Sequence, residues 1–260
     1  MKKWLIFCFV LITGHISAQK KSIDLTIKEV ENNLIPFVPV KDFKGWNIID
    51  RMKYYRVPGV SIAVIKDYKI DWAKGYGLAD TLKKIPVTNE TMFSAGSISK
   101  FLMAITALKL VENGQLELDK PVNQYLTSWK ISENEWTQKA PPTLRMLLSH
   151  SAGTSQSSYF GFTPSDSLPS IIQILNGAKI AGTRPVVVNS EPNKEFRYSG
   201  GGSMIAQLAL MDVSKKSFSN LTQEILFDKL GMRNSTFEQP VPLKFQQQSS
   251  WAYSYASWFK

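Results

Sequence analysis

Cysteine and histidine are nearly missing from this chain. Its 260 residues include one cysteine, Cys8, and two histidines, His15 and His150. A lone thiol has no partner, so an internal disulfide framework is excluded. A zinc site built on histidine and cysteine lacks its ligands, and no metal or cofactor is expected. Acidic charge is also in deficit: 31 Lys and Arg face 21 Asp and Glu, a formal charge of +10. The basic residues are scattered rather than clustered, which argues against a nucleic-acid footprint and for a solubilising surface. Long apolar runs are lacking as well. Trp4 to Thr13 is too short to span a bilayer as a helix.

That run is nevertheless informative. Lys2 and Lys3 precede it, and Ile16-Ser17-Ala18 closes it with a small residue before Gln19. This is the pattern of a secretory signal peptide over residues 1–18, cut after Ala18. The expectation is a periplasmic or secreted protein with no stable membrane span in the mature chain. Cys8 leaves with the leader, and losing Lys2 and Lys3 takes the charge from +10 to +8.

In what remains, 43% hydrophobic composition supplies a real core. Lys20 to about Trp46 is polar and mixed, and reads as an entry helix with a loop. Val60 to Ile65 reads as a buried strand, Asp67-Tyr68 as a turn, and Lys69 to Tyr76 as the partner strand. A helix follows Ser97, with Phe101, Ile105, Leu108 and Val111 along one face and Gly114 as its stop. Further helices are expected over Thr143–Leu148, Leu168–Leu175, Gly202–Met211 and Leu221–Leu230, the last capped by Asn220. Strands first and helices afterwards predict an α+β fold, an antiparallel sheet flanked by helices with an inserted all-helical domain.

Ser97-Ile98-Ser99-Lys100 is a Ser-x-x-Lys. On a helix, positions i and i+3 share a face. A serine hydroxyl becomes a good nucleophile when a base takes its proton. A neutral lysine serves as that base if burial or a helix start draws its affinity for protons down. The same helix start offers the Ser97 N–H to an oxyanion. Spacing alone decides nothing, because Ser17-Ala18-Gln19-Lys20 and Ser257-Trp258-Phe259-Lys260 also match. The apolar helix behind Ser97 singles it out. Tyr198, ahead of Ser199-Gly200, is a second candidate: a phenol on such a turn relays protons. His150 ends a helix, where binding to a carbonyl or the helix dipole is expected rather than membership of a Ser-His-Asp triad. Gly200-Gly201-Gly202 lacks the strand and the Lys-Ser/Thr that a phosphate loop requires.

Five stretches now fall in one order. Val57-Pro58-Gly59-Val60-Ser61-Ile62-Ala63-Val64 resembles the opening strand of class C β-lactamases and their serine-hydrolase relatives. Thr91 to Lys100 resembles their nucleophile segment. Leu144-Arg145-Met146-Leu147-Leu148-Ser149-His150-Ser151-Ala152-Gly153 is similar to their Leu-Leu-x-His-x-Ser-Gly. Phe196-Arg197-Tyr198-Ser199-Gly200 resembles the Tyr-x-Asn position, and Leu230-Gly231-Met232 a Leu-Gly-Met signature. The resemblance to β-lactamases and penicillin-binding proteins implies a β-lactamase/transpeptidase-like fold. It implies Ser97 as acylated nucleophile, Lys100 as base and Tyr198 as proton relay, with Gly200 and Gly96 at the substrate. The substrate implied is an ester, a D-amino-acid peptide or a β-lactam, peptidoglycan-derived peptides included.

The chain also departs from that pattern. Gly200 stands where asparagine is usual, which removes an amide that holds a substrate carbonyl. A Lys/His-Thr/Ser-Gly tripeptide does not follow Tyr198. The expectation is a shortened enzyme: about 19–115 the first part of the α/β domain, about 116–215 a helical domain, and about 216–260 an incomplete return. The alternative is a catalytically impaired envelope- or peptidoglycan-binding module of the same fold.

Overall fold

Asp67 and Tyr68 both take positive φ, 49° and 61°. That two-residue turn matches the twist of a hairpin. It joins β1 (Gly59–Lys66) to β2 (Lys69–Asp80), which pair antiparallel with Gly59 opposite Gly77 and Lys66 opposite Lys69. A short β3 (Ile85–Pro86) pairs with the far end of β2 and completes a sheet in the order β1-β2-β3. β2 runs four residues past the expected Tyr76. β1 is not buried on both faces: Val60, Ile62 and Val64 turn inward, while Ser61, Ala63 and Ile65 are exposed. A sheet covered on one side alternates in this way.

The computed structural model describes residues 23–38, 40–159, 161–163 and 166–253. The expected signal peptide with its cut after Ala18 lies outside them, as do both other Ser-x-x-Lys matches. The chain divides into two compact units, one up to Phe93 with the residues from Gln248 on, the other Ser94–Gln247.

In the first unit, residues 23–32 form α1, and α2 (Ile48–Tyr55) is capped by the Asn47 side chain, which accepts from the amides of Ile49 and Asp50. Ile48 and Met52 of α2 pack on Tyr76 of β2, with Leu34, Val60 and Ile62 around them. Glu31 binds both Lys74 and the Tyr76 phenol, which ties α1 to the sheet. Residues 248–251 return to this unit: Met92 N donates to Gln248 O and Trp251 N to Ala79 O.

Among the described residues, the regular elements of the second unit are all helical, joined by loops and two isolated β-bridges, Pro121 with Thr143 and Thr154 with Val188. Its elements are α3 (Ile98–Glu112), α4 (Glu135–Lys139), α5 (Leu144–Leu148), α6 (Ile171–Leu175), α7 (Gly200–Ser214), α8 (Phe218–Thr222), a π-helical turn (Gln223–Phe227), α9 (Asp228–Leu230) and α10 (Leu243–Gln246). α7 lies against α3, α5, α6 and α8. Leu126, Leu144, Leu210, Ala107, Ala206 and Ala209 have no solvent exposure. Each such leucine contributes on the order of 2 kcal/mol.

Two expectations are corrected here. α3 buries Met103, Thr106, Ala107 and Leu110, whereas Phe101 and Leu108 are exposed. Both faces of α3 are apolar, so periodicity alone picks no side. Asn220 caps nothing: the N-cap of α8 is Ser217, whose Oγ accepts from the Asn220 amide at 3.2 Å.

Candidate functional site

Ser97 occupies the N-cap of α3, with φ −71° and ψ −9°. An N-cap serine is ordinarily extended, and its hydroxyl accepts from an amide two or three residues on. Ser97 is already helical and caps no amide. Its Oγ is committed elsewhere. It lies 2.7 Å from the Tyr198 phenol oxygen and accepts from Lys100 Nζ at 3.2 Å. Lys100 is one turn along α3 and half-buried, and its ammonium stands 5.2 Å from the centre of the Tyr198 ring, within cation–π range. Among the described residues, the Ser97 N–H has no backbone acceptor.

Tyr198 reaches this hydroxyl from the turn ahead of α7. Ser199 caps that helix by accepting from Gly202 N at 2.9 Å, and also donates to Ser155 O at 2.8 Å. The three glycines that open α7 allow this close seat. A Cβ on Gly201 would stand 2.7 Å from Ser155 O, and one on Gly202 2.7 Å from Thr154 Oγ1. Their role is close packing of a helix start against residues 154–157.

The neighbouring ammonium of Lys100 holds the Tyr198 phenol below its ordinary value near 10, and the Ser97 hydroxyl adds to the effect. His150 is the fourth member. It follows the C-cap of α5 with φ +58°. Its ring lies 4.4 Å from that of Tyr198, and Nδ1 accepts from the Ser199 amide at 3.2 Å. Neither the carbonyl nor the dipole role expected of it describes this contact. Burial, and then the charge of Lys100, push the imidazole below its ordinary value.

The structure therefore brings Ser97, Lys100 and Tyr198 together, all within the second unit. Gly96 lies one residue away, exposed, with φ +51°. Gly200 is buried, and its N–H is spent on Ser157 O at 2.9 Å. A Cβ there would stand 3.1 Å from both Ser157 O and the Tyr159 ring. Sequence reasoning missed the grip of His150 and Ser199 on the tyrosine turn. The signal was present, since the His150 stretch and the Tyr198 stretch were both singled out, but nothing in a linear pattern joins residues 49 apart. Among the described residues, no cluster of three or more His, Cys, Asp or Glu side chains is placed to hold a metal, and no helix is long and apolar enough to cross a membrane.

The family model described as Beta-lactamase matches residues 47–257. Protein flp of Staphylococcus aureus strain MW2 is 27% identical over 186 residues, covering 70% of this chain and 35% of that protein. The mouse mitochondrial serine beta-lactamase-like protein LACTB is 38% identical over 96 residues, 37% of this chain and 17% of its own length. The chain thus spans about a third of the length of the flp proteins it matches. Among solved structures, the octameric penicillin-binding protein homologue from Pyrococcus abyssi superposes with a TM-score of 0.58 at 27% identity, over 72% of this chain and 42% of that one. FmtA from Staphylococcus aureus gives 0.59 at 23% identity, over 89% and 60%, a likeness of fold alone.

Proposed function

The chain belongs to the Beta-lactamase family, and from that premise we propose that it is an exported serine hydrolase that forms an acyl-enzyme on Ser97. One observation carries the reading: a single hydroxyl, Ser97 Oγ, is within hydrogen-bond reach of both the Tyr198 phenol and the Lys100 amine. A nucleophile with a base in reach and a second proton carrier beside it is the arrangement acyl transfer needs.

Ser97 Oγ attacks the substrate carbonyl carbon while its proton passes to Lys100 Nζ, in the state of the Lys100–Tyr198 pair where the phenol holds the shared proton and the amine is free. The tetrahedral oxyanion takes a hydrogen bond from the Ser97 N–H. The bond to the leaving nitrogen or oxygen breaks as Tyr198 donates its proton to that atom, and the phenolate is refilled from Lys100. Water then attacks the Ser97 ester carbonyl, giving a proton to the same pair, which returns it to Ser97 Oγ as the ester bond breaks and the acid is released. A depressed phenol is suited to a relay that must lose and regain its proton each turnover. The substrates proposed are an ester, a D-amino-acid peptide or a β-lactam.

Gly200 favours a second reading, a peptidoglycan-binding module without turnover, because no side-chain amide is present there to hold a substrate carbonyl. One experiment addresses both. Intact-mass spectrometry is run on the exported protein after exposure to a fluorophosphonate and to a fluorescent penicillin. The expected mass begins at Gln19 and carries one acyl or phosphonyl adduct, which Ser97→Ala abolishes. Equal labelling of the variant removes Ser97 from its role. Absent adducts, with wild type retained on peptidoglycan, favour the binding module.

A further inference from the structure

His150 is tied to the tyrosine turn at four points. Its carbonyl accepts from Arg197 N at 2.7 Å, and its ring meets Phe196 edge-on at 5.8 Å. The same ring lies 4.4 Å from that of Tyr198, and Nδ1 accepts from Ser199 N at 3.2 Å. These contacts fall before, on and after Tyr198. A hydrocarbon ring of the same shape would reproduce the packing but not the acceptor. We infer that His150 is the positioning residue of the site: its neutral imidazole holds the Tyr198 phenol against Ser97, and protonation releases it. The inference rests on the acyl-transfer reading above for its effect on rate, though not for its effect on Tyr198 itself.

The chemistry is one-directional. Nδ1 accepts only while it carries no proton, and an imidazolium has two donors and no acceptor. Protonation therefore turns the Ser199 amide from partner to opponent. The titratable groups that face the ring are Lys100, from α3, and Tyr198, from the turn ahead of α7. A charged imidazole also adds a second cation near Lys100. Activity should rise with pH through the His150 titration, with its midpoint below the ordinary histidine value of about 6.5. The positive φ of 58° suits this arrangement, since histidine and asparagine accept that backbone more readily than most residues.

Asparagine gives the decisive substitution. Its Oδ1 falls near the place of Nδ1, accepts from an amide and does not titrate. Fluorophosphonate acylation of Ser97 is measured from pH 5 to 9 in wild type, His150→Ala and His150→Asn. In parallel, Tyr198 is titrated by ¹³Cζ-tyrosine NMR, with Tyr198→Phe for assignment. Wild type should lose rate on the acid side. His150→Ala should be slower by roughly 100-fold at pH 7 and above, the scale of a misplaced reacting group, with the gap narrowing on the acid side. His150→Asn should recover to within about tenfold of wild type at neutral pH and fall less steeply than wild type on the acid side. The phenol should titrate higher in His150→Ala and stay depressed in His150→Asn. An acid limb as steep in His150→Asn as in wild type, or a phenol unmoved in His150→Ala, overturns the inference. If His150→Ala fails to fold, the acid limb of His150→Asn decides alone. If wild type is never acylated, the acyl-transfer reading fails and the phenol titration still decides the positioning role.

Discussion

Ser97 holds a capping position and gives its hydroxyl to a tyrosine and a lysine instead, so the first turn of α3 forgoes a hydrogen bond that N-cap serines usually make. Such a cap is worth about 1 kcal/mol. The pairing with Lys100 was legible in sequence because three residues along a helix return to the same face. Tyr198 was legible as a residue but not as a distance, since it lies 101 positions away. The sequence places His150 at a helix end, and no linear pattern relates it to the Ser199 amide 49 residues on. The phenol supplies a direct test of the pairing. Lys100 is the larger cause of its depression, so Lys100→Met should move the Tyr198 titration upward toward its ordinary value near 10. ¹³C NMR of labelled tyrosine reads this, and a phenol that stays low in Lys100→Met refutes the coupling.

At the scale of elements, the hairpin was the clearest part of the chain to read, because Asp67-Tyr68 interrupts two β-branched and aromatic runs. α3 was read correctly as a helix and wrongly as to its face, since its two sides are about equally apolar and only the helices packed on it choose between them. Gly153 shows a different limit. Its φ is +64°, and a Cβ there would stand 2.2 Å from Ser190 O, so a backbone crossing explains the last residue of the His150 stretch. α7 is anchored at its far end by Asp212, which accepts from Thr127 N at 2.7 Å, Ser128 N at 3.0 Å and the Ser128 hydroxyl. Burial raises this carboxyl, but those donors outweigh it and leave it below its usual range. A depressed carboxyl stabilises the fold above its unfolded value of about 3.9, and that contribution is lost as pH falls through the lower folded value. Asp212→Asn should therefore cost about 1 kcal/mol at pH 7, after allowance for solvent screening. The gap to wild type should close below about pH 4. Urea melts at pH 7 and pH 3 check both halves, and a gap that is unchanged at pH 3 contradicts the assignment.

For the whole molecule, the α+β class and the family were legible because five stretches occur in order, a constraint no single stretch imposes. The two compact units do not follow the helical-domain limits drawn from sequence. The second begins at Ser94 and takes in α3, because contacts rather than composition define it. With Cys8 the one cysteine of the chain, cohesion rests on apolar burial and hydrogen bonding. The thermal midpoint should accordingly be the same with and without a reducing agent, and a fall of several degrees on reduction would reveal an intermolecular disulfide. The crowded start of α7 bears on redesign. A library meant to broaden what the site accepts gains little at residues 200–202, where an added Cβ meets Ser157 O and the Tyr159 ring, Ser155 O, or Thr154 Oγ1. At Phe196, 72% exposed, new side chains find room, at the cost of its edge-on contact with His150.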